Sequence, residues 1–87
     1  MKHALDIIKY PIATEKAIRI MDIENKLMFI VQKKATKSEI KKAVEEIFKV
    51  VVKKVNTAVL PNGKKKAYVS LAPETPARDV ATQLGLL

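Results

Sequence analysis

The spacing of hydrophobic and polar residues changes several times along this chain, and each change predicts a new element. Lys26–Lys33 contains the unbroken apolar run Leu27–Val31, which is typical of a central strand buried on both faces, with helices above and below the sheet. From Ile40 to Phe48 the apolar residues recur at helical spacing and form one stripe. Thr36 and Glu39 fit a capping box at the start of that helix.

Two runs of alternating residues follow, separated by Pro61-Asn62-Gly63. Asn-Gly between such runs is the strongest short-range signal of a β-hairpin, and Gly63 is expected in the left-handed region of a three-residue loop. The alternation predicts an apolar face that includes Val51, Val55, Thr57, Val59, Ala67, Val69 and Leu71. It predicts a polar face that includes Lys54, Asn56, Lys66, Tyr68 and Ser70.

The remaining elements are shorter. Leu5–Lys9 is predicted to be a first strand that either ends at Pro11 or lies at an edge of the sheet, because proline cannot donate a ladder hydrogen bond. Thr14 is expected to cap a short helix over Glu15–Met21. A last helix is expected to begin after Thr75-Pro76, with Thr75 as its cap and Gly85 at its end.

The resulting order, β-α-β-α-β-β-α, predicts an α+β fold of the ferredoxin-like, split β-α-β kind. The second and third strands are joined through the main helix, so they should lie parallel, and the fourth fits antiparallel between them. Helices are expected to pack on this four-stranded sheet. The 87 residues, 1–87, are long enough for one domain and leave no room for a linker.

The charge of the chain narrows the classes of partner. Lys and Arg number 17 against 9 Asp and Glu, which gives a net charge of +8. This excess is larger than solubility requires, and it indicates a polyanionic partner: nucleic acid first, an anionic membrane surface second. The apolar runs are too short to span a membrane and the amino end lacks the features of a signal peptide, so we expect a cytosolic protein without membrane insertion.

Residue sets that support catalysis are missing from the sequence. There is no Cys, and His3 is the only His. Glu45 and Glu46 are adjacent, so they point to different sides of a helix and cannot form a paired-carboxylate site. The two glycines do not form a phosphate-binding loop. We therefore expect no enzyme activity, no cofactor and no metal.

The lysines of the hairpin carry the strongest functional signal. A single lysine is most simply a solvated surface residue, but Lys64-Lys65-Lys66 follow a tight turn without a balancing acid, which indicates phosphate neutralisation. Tyr68 either stacks on a base or ribose, or packs half-buried under a helix, and Tyr10 is interpreted as a packing residue. Because aromatic residues are few, we expect recognition of the backbone and shape of structured RNA.

Several segments resemble the ribosomal protein L-twenty-three family of the large subunit, in its compact archaeal form. They cover nearly the whole chain, and their order and spacing are specific. The matching segments are Pro11-Ile12-Ala13-Thr14-Glu15-Lys16, Asn25–Val31, Ala35-Thr36-Lys37, Ile40-Lys41, Ala43-Val44-Glu45, Val55-Asn56-Thr57 and Gly63–Val69.

The resemblance implies a β-(α)-β-α-β-β fold with sheet order 1-2-4-3. It also implies a cytoplasmic, ribosome-bound protein that binds large-subunit rRNA at the rim of the polypeptide exit tunnel, beside another small ribosomal protein. There it would offer a docking surface to the signal recognition particle, the translocon and nascent-chain factors. The minimal turn at Pro61-Asn62-Gly63 departs from the long hairpin of bacterial members, which argues against contact with the nascent chain inside the tunnel.

Charge and resemblance together give a set of expected rRNA-binding residues. They are Lys9, Thr14, Lys16, Lys33, Lys34, Lys53, Lys54, Asn56, Thr57, Lys64, Lys65, Lys66 and Tyr68. Two other interpretations stay open at this point. One is a free-standing regulatory RNA-binding module, to which Ala67–Leu71 bears a faint likeness without the flanking aromatics. The other is a small ferredoxin-like enzyme of the acylphosphatase kind.

Overall fold

The computed structural model describes the backbone of residues 4–84 and the side chains of residues 6–84. This part of the chain contains α1 Ala4–Ile7, β1 Ile8–Pro11, α2 Glu15–Glu24, β2 Lys26–Val31, α3 Lys37–Phe48, β3 Val52–Val59, β4 Lys65–Leu71 and α4 Ala77–Gln83. The strands form one sheet in the order β1-β2-β4-β3, and every neighbouring pair is antiparallel. Because β4 lies antiparallel between β2 and β3, those two strands run parallel. The predicted α+β fold and strand order are confirmed.

Local capping signals set the starts of the two longer helices. Thr14 caps α2 by accepting a hydrogen bond from the Ala17 N–H at 3.2 Å. Thr36 and Glu39 form the predicted capping box before α3: the Glu39 N–H donates to Thr36 Oγ1 at 3.2 Å, and the Thr36 N–H donates to Glu39 Oε1 at 3.0 Å. Helix α2 continues past the predicted end and stops at Asn25, which adopts the left-handed conformation with φ 54°.

The first strand lies later in the chain than the sequence predicted. Residues 4–7 form the short helix α1, which places Ile7 in the core and leaves its carbonyl to accept from the Gln32 N–H at 2.8 Å. Strand β1 then includes Pro11. The neighbouring Ile12 N–H donates to Met28 O at 2.9 Å, so the nitrogen of Pro11 faces away from β2, at the edge of the sheet.

All four helices cover the same face of the sheet. Each contributes to the core that contains Leu27, Phe29 and Val31, through Ile7, Met21, Ile40 and Val80 among others. The expectation of helices on both sides of β2 is therefore wrong. Met28 and Ile30 point to the opposite face, yet they are only 4% and 5% exposed. On that face Tyr10 and Lys66 flank Ile30, and Tyr68 flanks Met28.

The hairpin confirms the predicted turn but shifts the predicted pattern of its first strand. Gly63 has φ +84°, and its N–H donates to Leu60 O at 2.9 Å. At the other end of β3, the pairing shifts at Lys53, so that Val52 rather than Val51 joins the core. Val52 is 3% exposed and Val51 is 52% exposed. The extra residue of a β-bulge explains the difference, because it reverses the facing of every residue before it.

Helix α4 is capped by a distant residue instead of Thr75. Pro76 occupies the N-cap position without a side-chain hydrogen bond, and the Ala77 N–H donates to Asn25 Oδ1 at 2.6 Å. Val80 and Ala81 are buried, as the sequence predicted. The predicted cap at Gly85 lies outside the described residues. None of the helices within residues 4–84 has the length and apolar character needed to cross a membrane.

Candidate nucleic-acid interface

The face of the sheet away from the helices is assembled from three rows of paired residues. Residues that pair directly across antiparallel strands point to the same side, so the register assigns each one to a face. We call the resulting surface the open face. It consists of Tyr10, Ile30, Lys66 and Ala58 in one row, Met28, Tyr68 and Asn56 in the next, and Lys26, Ser70 and Lys54 in the third. The predicted polar face of the hairpin forms half of it.

Positive charge is concentrated on the strands. In the described chain, the strands hold six lysines and no Asp or Glu; the lysines are Lys9, Lys26, Lys53, Lys54, Lys65 and Lys66. Acidic residues lie in helices or loops: Asp6, Glu15, Asp22, Glu24, Glu39, Glu45, Glu46, Glu74 and Asp79. A net charge of +8 is thus distributed so that the sheet, and not the helical layer, carries an excess of positive charge, although Lys26 Nζ pairs with Glu24 Oε1 at 3.3 Å.

Each tyrosine of the open face lies beneath a lysine ammonium group. Lys66 Nζ is 5.2 Å from the centroid of the Tyr68 ring. Lys64 Nζ is 5.7 Å from the centroid of the Tyr10 ring and donates to Tyr10 Oη at 3.0 Å. Tyr68 is partly exposed, and since the helices lie on the other face, the alternative of an aromatic packed under a helix is wrong. Tyr10 is 44% exposed, so a large part of its side chain is open to solvent.

Lys65 does not belong to the open face. It pairs with Val31 and Val59 on the helix-covered side, and its Nζ donates to the carbonyl of Ala35 at 2.6 Å. The strand alternation forces this arrangement, because consecutive side chains point to opposite faces. Lys65 therefore holds the loop before α3, whereas Lys64 and Lys66 turn toward the open face. Thr57 pairs with Ala67 and faces the helical side for the same reason.

The other expected rRNA-binding residues are scattered around the domain. Lys9 and Lys53 are exposed at the β-bulges of the two edge strands. Lys33 and Lys34 are exposed in the loop between β2 and α3, and Lys16 is exposed in the first turn of α2. The side chain of Thr14 is engaged in capping α2. The structure does not bring these residues together with the open face.

Three polar residues of the open face, Lys26, Ser70 and Tyr10, are not in the set expected to bind rRNA. Lys26 lies two positions before Met28, but the unbroken apolar run that follows gives no alternation from which its facing could be predicted. Ser70 was assigned to the polar face only. Tyr10 could not be placed because its facing depends on the pairing of β1 with Ile30. Only the alternation around Ser70 was a usable sequence signal.

The fold and this surface define a small basic α+β binding domain. Among residues 4–84, no group of three or more His, Asp or Glu side chains is arranged to hold a metal ion. The family model described as Ribosomal protein L23 matches residues 6–76. The large ribosomal subunit protein uL23 of Methanococcus aeolicus is 51% identical over 83 residues, which cover 95% of this chain and 96% of the relative.

Proteins of the same name from two strains of Methanococcus maripaludis are each 46% identical over 83 residues, again with 95% and 96% coverage. The chain therefore belongs to the ribosomal protein L23 family. Its role is that of a structural component of the ribosome and not of an enzyme. The acylphosphatase-like alternative is thereby excluded.

Proposed function

We propose that this chain is a structural constituent of the large ribosomal subunit and that residues 1–87 act as one rRNA-binding domain. Family membership and the names of the relatives support the large-subunit role. The observation that carries rRNA binding is the open face, where lysines surround two partly exposed tyrosines on strands that lack acidic residues in the described chain.

Binding through this face would act by charge neutralisation and positioning. Each lysine that pairs with a phosphate releases condensed counterions, so affinity falls steeply as salt rises. Lys26, Lys54, Lys64 and Lys66 supply the charges, while Asn56 and Ser70 add neutral hydrogen-bonding groups between them. Contacts of this kind fix the orientation of the rRNA without requiring a particular sequence.

The finer location follows from the family resemblance. We place the protein, within the cytoplasmic ribosome, at the rim of the polypeptide exit tunnel beside another small ribosomal protein. There its protein-facing surface would help to dock the signal recognition particle, the translocon and nascent-chain factors. The compact hairpin turn, which consists of Pro61, Asn62 and Gly63, supports a position at the rim and not inside the tunnel.

The open face can be tested with two variants that remove the same charge. Lys54→Gln with Lys66→Gln changes the open face, whereas Lys41→Gln with Lys42→Gln changes exposed positions of α3 on the opposite side of the domain. Binding to large-subunit rRNA is measured by filter retention over a series of salt concentrations. We expect the open-face variant to lose about two units of the logarithmic salt slope and the control to keep it. Equal losses in the two variants would refute the assignment of the face.

Gradient fractionation of native cell extract tests the ribosomal assignment separately. The protein should sediment with the large subunit and should leave it only at high salt. A free-standing regulatory RNA-binding module would sediment apart from the large subunit at every salt concentration, and that result would overturn the proposal.

A further inference from the structure

We propose that Tyr68 and Tyr10 form a two-ring stacking site for unpaired nucleobases of the bound rRNA. The inference rests on the proposed function, because it assumes that rRNA meets the open face. It adds stacking on splayed, unpaired nucleotides to the recognition of the backbone and shape of structured RNA that the sequence led us to expect. The tertiary structure motivates this change, since it brings the chain's two tyrosines onto one surface.

The distance between the rings determines what they can bind. Tyr10 pairs with Ile30 and Tyr68 pairs with Met28, so the two tyrosines are two strands and one row apart. With strands spaced ~4.8 Å and residues rising ~3.4 Å, this separation is about 12 Å between backbone positions. Neighbouring bases in a stacked strand are only about 3.4 Å apart. Two rings at this distance therefore suit bases that have been pulled out of a helix, as in loops and bulges.

The surface between the rings has the chemical pattern that such a segment needs. Met28 and Ile30 lie on β2 between the two rings but are only 4% and 5% exposed, so the groups that a base can reach there are the tyrosine rings and the lysines around them. A base that stacks on either ring can place its phosphate near the ammonium groups of Lys64 or Lys66. Asn56 pairs directly with Tyr68, so its amide is positioned to hydrogen-bond the edge of a base that stacks on that ring.

The lysines above the rings do not prevent stacking. A cation–π contact at an exposed site contributes a factor of about 2 to 5 in equilibrium. Stacking of a base on an aromatic ring contributes about 5- to 150-fold in affinity. A base can therefore displace the ammonium group of Lys66 from Tyr68, and the released ammonium group is then free to bind a phosphate. The same exchange applies to Lys64 and Tyr10.

The chain offers a direct optical test because it contains two Tyr and no Trp. Its intrinsic fluorescence therefore reports only on Tyr10 and Tyr68. The probes are a mixed-sequence single-stranded RNA of about ten nucleotides, on the scale of known single-strand sites, and a duplex of the same strand with its complement. We expect the single strand to quench tyrosine emission saturably and to bind more tightly than the duplex. A duplex that binds and quenches equally well would overturn the stacking site.

Two substitutions separate stacking from charge. Tyr68→Leu should weaken single-strand binding by about fivefold or more and leave the salt slope unchanged, while Tyr68→Phe keeps the ring and should bind nearly as the native chain does. Lys66→Gln should lower the salt slope by about 0.7 and preserve the fraction of emission that is quenched at saturation. If Tyr68→Leu does not fold, quenching of the tyrosine fluorescence of the unmodified protein still tests whether bases stack on the rings.

The outcomes distinguish the stacking site from the underlying function. RNA that binds without quenching, together with a Tyr68→Leu variant of unchanged affinity, would refute stacking and leave rRNA binding intact. A protein that binds neither the single strand, the duplex nor large-subunit rRNA would refute the proposed function itself, and would instead indicate that the open face meets a protein partner.

Discussion

Asn25 offers the sharpest test of how this fold is held together. It ends α2 in the left-handed conformation, and its side chain reaches residues 46 to 52 positions further along the chain. Asn25 Nδ2 donates to the carbonyls of Leu71, Ala72 and Thr75 at 3.2–3.3 Å, and Asn25 Oδ1 accepts from the Ala77 N–H at 2.6 Å. One side chain thus joins α2, the end of β4 and the start of α4. The perturbation is Asn25→Ala.

The expected loss can be worked out from these contacts. The amide has two N–H groups for three carbonyls, so it donates about two hydrogen bonds at a time. With the bond accepted from the Ala77 N–H, the substitution removes about three hydrogen bonds in all. At about 1 kcal/mol each for such bonds, this contributes roughly 3 kcal/mol. Alanine in the left-handed region costs about 1 kcal/mol more. Asn25→Ala should therefore destabilise the protein by about 4 kcal/mol, a large share of the roughly 5–15 kcal/mol that holds a domain folded.

Urea unfolding followed by far-ultraviolet circular dichroism measures this loss, with Asn25→Gly as the matched control. Glycine removes the same hydrogen bonds but adopts the left-handed conformation freely, so it should be about 1 kcal/mol less destabilised than alanine. A change of less than ~0.5 kcal/mol in Asn25→Ala would refute the bracing role, because that is the range of ordinary surface substitutions. Equal losses for alanine and glycine would refute only the contribution of backbone strain.

Three further predictions test individual residues. Lys65→Met should lower the free energy of unfolding by about 1.5 kcal/mol, because it loses the charged hydrogen bond to Ala35, and should leave the salt slope of rRNA binding unchanged. Lys66→Met should lower the salt slope and leave the free energy of unfolding unchanged. If both variants lower the salt slope, the two lysines do not face opposite sides of the sheet. Thr14→Ala and Thr36→Ala should each cost about 1 kcal/mol in urea unfolding, and serine at either position should restore it. Gly63→Ala should cost about 1 kcal/mol from its φ of +84° alone, because an added Cβ meets no atom within 4 Å, and Gly63→Asn should cost less.

Much of the fold could be predicted where the signals were local. The capping box at Thr36 and Glu39 and the turn around Gly63 depend on residues three or four positions apart, and both formed as expected. The register of β3 could not be predicted in the same way. The bulge at Lys53 buries Val52 in place of Val51. One inserted residue turns the side chains that precede it in the strand to the opposite face of the sheet.

The candidate site was predictable only in part. Lys54, Asn56, Lys66 and Tyr68 share a face because the alternation of the hairpin requires it, and the structure places them there. Lys65 was assigned to the same function from its charge, although the alternation places it on the helical side. The composition predicts a polyanionic partner, but it could not separate a lysine that holds a loop from lysines that face outward.

The sequence by itself determined the charge of this protein, the hairpin and the types of its elements other than α1, since these depend on composition and on neighbours along the chain. The tertiary structure alone decided that Tyr10 lies on the same face as Tyr68, and that Asn25 caps α4 in place of Thr75. Both outcomes require segments that are distant in sequence to pair in one particular register. Register is set by the burial of the whole sheet against the helices, and a shift of one residue would turn each of these side chains to the other face.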